Sequence, residues 1–180
     1  RRESVVLLFA FALPLAAGAY ANEYLIKPAF GQARPNIRAL ARSERLELTP
    51  AAFYALGDKS ARTDHLTGIL DADAARQMGL GEEIREHWLE ETGYSFPSGH
   101  AFASSFVAAF FAWVGLNLCA GRRVGAVYLL VAWAIGVCAS RVLLRVHTSW
   151  DILAGGLEGV AVGLVAAGVA LRALERFEPG

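Results

Sequence analysis

Lys27 stands seven positions before Arg34-Pro35, and Pro97-Ser98-Gly99-His100 opens an apolar stretch. Ser140-Arg141 closes a second such stretch, and His147 and Asp151 straddle the start of a third, four positions apart. Three cations, two imidazoles and a carboxylate are a set suited to phosphoryl chemistry. Arginine forks match phosphate oxygens in a bidentate manner. Ser98 and Gly99 at a helix N-terminus would offer free backbone N–H groups and the positive end of the helix dipole, and Gly99 lets the backbone come close to a ligand. Lys27, Arg34, Ser98, Gly99 and Arg141 are therefore expected to bind phosphate. A carboxylate four residues from an imidazole holds one ring nitrogen and leaves the other bare and basic. His147 is accordingly the expected nucleophile, oriented by Asp151, and His100 the expected acid for the leaving group.

Each residue taken alone has a plainer explanation. Lys27 and Arg141 would snorkel at helix ends, and a single histidine there would be an ordinary interfacial residue. Two further assignments fit the residue types less well. Ser98 or Ser140 with a histidine and Asp151 could form an acyl-transfer triad, but there is no G-x-S-x-G elbow and a neutral ester has no use for three cations. His100, His147 and Asp151 could ligate a metal, but the same cations would repel it. No metal and no cofactor are expected.

The elements that must gather these residues are apolar and long. Four stretches, about 4–26, 99–118, 124–140 and 152–171, stand out in a 180-residue chain that is 55% hydrophobic with zero formal net charge. Each is near the ~20 residues a helix needs to cross ~30 Å of hydrocarbon, and in lipid such segments close their backbone hydrogen bonds as helices. The first reads as the longest and the third as the shortest. Gly155, Gly159 and Gly163 recur every fourth residue, which puts small residues on one helix face. The balanced charge argues against a nucleic-acid partner, and Cys119 and Cys138 make neither a disulfide framework nor a metal motif.

Residues 28–96 differ in character and read as a small helical insertion outside the membrane. Thr49-Pro50 marks one helix start, and a second helix is expected over 81–92, before Gly93. The fold class is all-α: a polytopic membrane bundle with four transmembrane helices in this chain and a helical extramembrane insertion, within a single domain over 1–180. Arg1, Arg2, Arg122, Arg123, Arg172 and Arg176 fall on one side if the helices alternate, and the positive-inside rule makes that side cytoplasmic. The motif residues then share the outer face.

The ordered pattern Lys27-x6-Arg34-Pro35, Pro97-Ser98-Gly99-His100 and Ser140-Arg141-x5-His147-x3-Asp151 resembles the type-2 phosphatidic acid phosphatase superfamily across Lys27 to Asp151. The insertion and the run HWLEETGYSFPSGH look like its bacterial phosphatidylglycerophosphate phosphatase B branch. The resemblance implies the same roles: His147 as nucleophile, Asp151 orienting it, His100 as general acid, the remaining residues holding phosphate, and no metal. It also implies a bacterial inner-membrane location with the site on the periplasmic face, a phosphorylated membrane lipid as partner within the bilayer, and hydrolysis of the phosphatidylglycerophosphate, phosphatidic acid or undecaprenyl pyrophosphate class. Two alternatives are a phosphotransferase using an acceptor other than water, and a non-catalytic lipid-binding or transport protein. That branch has six membrane helices, so two N-terminal helices are expected to be absent from this chain.

Glu158, two turns into the last stretch, is expected to pair with Arg145 or Arg141 or to face a wet cavity. Glu23 and Lys27 are spaced as an i,i+4 pair. His65 and His87 read as surface residues of the insertion. Tyr20, Tyr24, Tyr94, Phe96 and Trp150 read as an outer aromatic belt.

Overall fold

The computed structural model describes residues 2–118 and 124–176, and every regular element among them is helical. Arg1, Arg122, Arg123 and Cys119 lie outside the described residues. Four helices are long and apolar enough to cross a membrane. The first, α1 (Arg2–Ala21), widens into a π turn at Asn22–Ile26 and tightens again as α2 (Lys27–Phe30). The others are α8 (Gly99–Leu118), α9 (Val124–Leu143) and α10 (Ser149–Glu175). α9 runs past its expected end to Leu143 but, at 19 residues as a span, remains the shortest of the four as expected, while α10 reaches 27 residues. The difference arises because polar residues such as Arg141, Ser149 and Asp151 extend these helices beyond their apolar windows.

Packing centres on α10 and α8, with α9 against α8 and α1 against α10. The four-residue glycine spacing explains how closely α10 approaches α8. A Cβ at Gly155 would collide with the Ser98 carbonyl oxygen, and one at Gly159 with that of Phe102. At Gly163 it would come within 2.8 Å of the Phe106 carbonyl oxygen. The three glycines thus step along α10 in time with Ser98, Phe102 and Phe106, four apart on α8, and the two backbones meet without side chains between them. Below this contact Phe106, Phe110, Ala166, Ala167 and Ala170 form an apolar cluster against Phe11.

The insertion folds as five short helices: α3 (Pro35–Arg42), α4 (Pro50–Tyr54), α5 (Lys59–Ile69), α6 (Ala72–Gln77) and α7 (Glu82–Glu90). Thr49, Asp58 and Asp71 cap three of them, each accepting an N–H bond from the third helical residue. The expected start at Thr49-Pro50 is found, and the helix expected over 81–92 ends two residues early, at Glu90. Phe53, Leu40, Leu66, Leu70 and Trp88 are buried together, and Val146, from the turn between α9 and α10, joins the same core. Trp88 Nε1 donates to the Leu144 carbonyl at 2.8 Å. The insertion is thereby fixed to the turn that carries His147.

Candidate active site

His147 is delivered by the way α9 ends. The N–H groups of Val146 and His147 both donate to the Arg141 carbonyl, at 3.2 and 3.3 Å. Arg145 takes a left-handed backbone, φ 59°, at a helix end where glycine is usual. The chain turns back at once into α10, whose N-cap is Thr148. Asp151 completes a capping box there: its Oδ2 accepts from Thr148 N at 2.7 Å, while its own N–H donates to Thr148 Oγ1 at 3.3 Å. Ser95 Oγ donates to the same Oδ2 at 2.5 Å, and Gln32 Nε2 donates to Oδ1 at 2.9 Å. With three donors and a helix N-terminus around it, Asp151 is held as a carboxylate in one orientation. His147 Nδ1 lies 3.5 Å from Oδ2.

Arg34 shows why a proline follows it. The residue before proline is driven to extended backbone, and Arg34 has φ −64° and ψ 151° as the N-cap of α3. Its side chain turns inward and is 1% exposed. Nε donates to Gly93 O at 2.8 Å, Nη1 to Val146 O at 3.1 Å, and Nη2 to Glu91 Oε2 at 2.6 Å. Nη1 also lies 3.1 Å from His147 Nε2. A guanidinium only donates, so Nε2 accepts, and the imidazole proton sits on Nδ1, facing Asp151 and Ser95 Oγ. The tautomer leaves a lone pair on Nε2.

Glu91 is the residue that sequence reasoning missed. It caps α7 at its C-terminal end. Besides Arg34 it faces His100 Nδ1, 3.7 Å from Oε1, and Arg141 Nη1, 4.0 Å from the same oxygen. Burial pushes its carboxyl up, but Arg34, His100 and His147 outweigh this and hold it below the usual carboxylate range. Ser95 and Gln32 were also missed. Glu91 and Ser95 lie in the run His87 to His100 that the resemblance singled out, yet nothing in their spacing assigned them chemistry.

Arg34, Arg141 and His100 therefore meet at Glu91, and Arg34 joins them to His147 and through it to Asp151. Lys27 has a different partner. Its Nζ donates to Glu23 Oε2 at 2.7 Å, and Glu23 also pairs with Lys59 at 2.6 Å. It lines a cavity with Gly93, whose carbonyl holds Arg34, so it stands beside the cluster. Ser98 corrects the sequence expectation. Its N–H is not free, because it donates to the Asp151 carbonyl at 3.0 Å, and its Oγ accepts from Ala101 N at 3.4 Å. It ties α8 to α10 and caps α8. Around Gly99 the space next to Cα is open.

Other expectations also change. Glu158 pairs with neither arginine; it accepts from Asn22 Nδ2 at 3.0 Å. The π turn of α1 places Asn22 there, which the sequence pattern does not reveal. His65 and His87 are half-buried and bonded to the Leu46 and Glu83 carbonyls. Tyr20, Tyr24 and Trp150 are exposed as a belt requires, whereas Tyr94 stacks on Tyr54 and Phe96 packs on Phe30. Among the described residues no group of His, Cys, Asp and Glu is arranged to hold a metal ion.

What the folded chain offers is a cluster of guanidiniums, imidazoles and carboxylates at one end of a membrane-spanning helix bundle. The PAP2 superfamily profile matches residues 4–174, and the chain belongs to that superfamily. It is 33% identical over 148 residues to phosphatidylglycerophosphatase B of Escherichia coli (strain K12), covering 82% of this chain and 54% of that protein. A second relative, phosphatidylglycerophosphatase B of Haemophilus influenzae, is 33% identical over 136 residues, 73% of this chain and 52% of that protein. The chain thus spans about half the length of the curated relatives it matches.

Proposed function

We propose that this chain is the catalytic part of a metal-independent phosphatase acting on a membrane lipid phosphate or pyrophosphate. The observation that carries this reading is the state of His147: its Nδ1 turned to a fixed aspartate, its bare Nε2 against a buried arginine. In the proposed first step Nε2 attacks the terminal phosphorus, its P–O bond to the rest of the lipid breaks, and His100 gives its proton to the departing oxygen, an alkoxide from a monoester or a phosphate oxygen from a pyrophosphate. A phosphohistidine results. Water then attacks phosphorus, His100 takes its proton, the P–N bond breaks and phosphate leaves. Arg34 and Arg141 would neutralise charge on the equatorial oxygens, with Lys27 beside them and the Gly99 backbone closing over the anion.

The surroundings of the site support a lipid as the substrate class. A groove of about 410 Å³ between α8, α9 and α10, bordered by Ala108, Trp113, Val131 and Ile135, would take an acyl chain. Both named relatives are phosphatidylglycerophosphatases, which supports phosphatidylglycerophosphate as the first substrate to test. At the ends of the four long apolar helices away from the site, the described arginines are Arg2, Arg172 and Arg176. By the positive-inside rule they support an inner-membrane protein with residues 28–96 and the site on the periplasmic face. Purified protein in detergent should release phosphate from phosphatidylglycerophosphate, phosphatidic acid or undecaprenyl pyrophosphate in excess chelator. Loss of turnover with EDTA, restored by a divalent ion, would overturn the mechanism.

The pH profile tests the nucleophile. Burial pushes the proton affinity of His147 below that of an ordinary imidazole, and the bond to Asp151 opposes this only in part. The attacking form is neutral, so lowering its pKa preserves it into more acid solution. The acid limb of kcat/KM should fall below pH ~6.5. Asp151→Asn removes a group that raises the proton affinity, so the limb should move further to the acid side while the rate drops. A limb above that of free imidazole would count against His147.

A further inference from the structure

Glu91 occupies the place a substrate anion would need. Its carboxylate lies 2.6 Å from Arg34 Nη2, 3.7 Å from His100 Nδ1 and 4.0 Å from Arg141 Nη1. These are three of the groups assigned above to phosphate binding and leaving-group protonation. The nucleophile, His147, is occupied as well, since Arg34 Nη1 covers its Nε2 at 3.1 Å. Phosphorus can reach Nε2 only if Arg34 turns from it, and what holds Arg34 on that side includes Glu91.

We propose that Glu91 is the internal anion of the cradle, which a substrate phosphate displaces, and that this competition selects dianionic phosphomonoesters over the monoanionic diesters of bulk lipid. The inference rests on the phosphatase reading and deepens it. A tethered carboxylate competes at high effective concentration. A diester brings one negative charge, no more than Glu91 already supplies. A monoester dianion brings two charges and three terminal oxygens, enough to engage Arg34 and Arg141 together. Glu91 has a way out: it follows the last regular turn of α7, and its side chain is 20% exposed beside a His100 side chain that is 51% exposed. Without an anion here, two guanidiniums would face each other across a poorly hydrated site, so the same carboxylate keeps the resting site neutralised.

The test is competitive inhibition of lipid-phosphate hydrolysis by inorganic phosphate and by dimethyl phosphate, in wild-type protein and in Glu91→Gln. Expected for wild type is inhibition by phosphate and none by dimethyl phosphate. In Glu91→Gln the Ki for phosphate should fall about tenfold or more, the factor that ~1.4 kcal/mol represents, and dimethyl phosphate should become an inhibitor. A phosphate Ki that is unchanged or raised would mean that Glu91 only holds Arg34 in place, and would overturn the proposal. A lower phosphate Ki with dimethyl phosphate still inert would keep displacement and overturn the selectivity. Should Glu91→Gln fail to fold, Glu91→Asp, whose shorter carboxylate reaches less far, decides by the same sign. If wild-type protein releases no phosphate from any lipid phosphate, the phosphatase reading fails and this inference with it. If wild type responds and the variant gains nothing, only the present inference fails.

Discussion

Replacing His147 with alanine is expected to lower turnover on a lipid phosphate by about four orders of magnitude or more, the scale seen when a covalent nucleophile is removed. The expectation follows from how little else near phosphorus could attack. Asp151 Oδ2 is committed to Ser95 and Thr148, and Oδ1 to Gln32. Ser98 caps α8 and is fully buried. Stability should change far less, because His147 gives up long contacts to Asp151 and Ser95 and one to Arg34. Phosphate should still inhibit through Arg34 and Arg141 if residual turnover can be followed, or bind by calorimetry if it cannot. Near-normal rates in His147→Ala would move the nucleophile elsewhere.

Arg34→Ala is expected to damage fold and activity together. Its guanidinium satisfies the carbonyls of Gly93 and Val146 and the carboxylate of Glu91, from a side chain that is only 2% exposed. Removing one member of such a pair leaves charge and carbonyls without partners, at a cost of about 3–5 kcal/mol. The midpoint of thermal unfolding in detergent should fall by about 10 °C. Arg34→Lys keeps the charge but cannot reproduce a fork aimed at separate acceptors, so it should recover little. The double variant Arg34→Ala, Glu91→Ala should regain part of the lost stability, because the stranded carboxylate is gone, and none of the activity. Additive losses in the double variant would show that the two residues are not coupled.

The sequence made the bundle legible because lipid permits few alternatives: long apolar runs must be helices, and their polar ends must meet at the surfaces. Arg34, Arg141, His100, His147 and Asp151 could be found because each sits at such an end, where an apolar background makes it conspicuous. Glu91 could not, since it lies in a polar segment where acids are ordinary and its role depends on α7 stopping at Glu90. Gln32 and Ser95 became visible only once the loops on either side of the insertion were seen to meet, Ser95 N donating to Gln32 O at 2.8 Å. The π turn has no sequence signature, and it places Asn22 on Glu158, for which the pattern offers an arginine or a wet cavity. Ser98 was placed at its helix end correctly, but its N–H was spent on Asp151 by a backbone approach that only the glycines of α10 allow.

That approach sets which distances respond to the surrounding lipid. His100 rides on α8, and His147 immediately precedes α10, two rods that touch main chain to main chain through Gly155, Gly159 and Gly163. Arg141 rides on α9, which meets α10 sparingly and leaves a groove beside it. A thicker or thinner bilayer that tilts the helices should leave the two imidazoles at constant separation, and Arg141, whose carbonyl is bonded to Val146 and His147, should follow them while the far end of α9 and the groove beside it move. Membrane thickness would then tune the width of that groove, with the spacing of the imidazoles untouched.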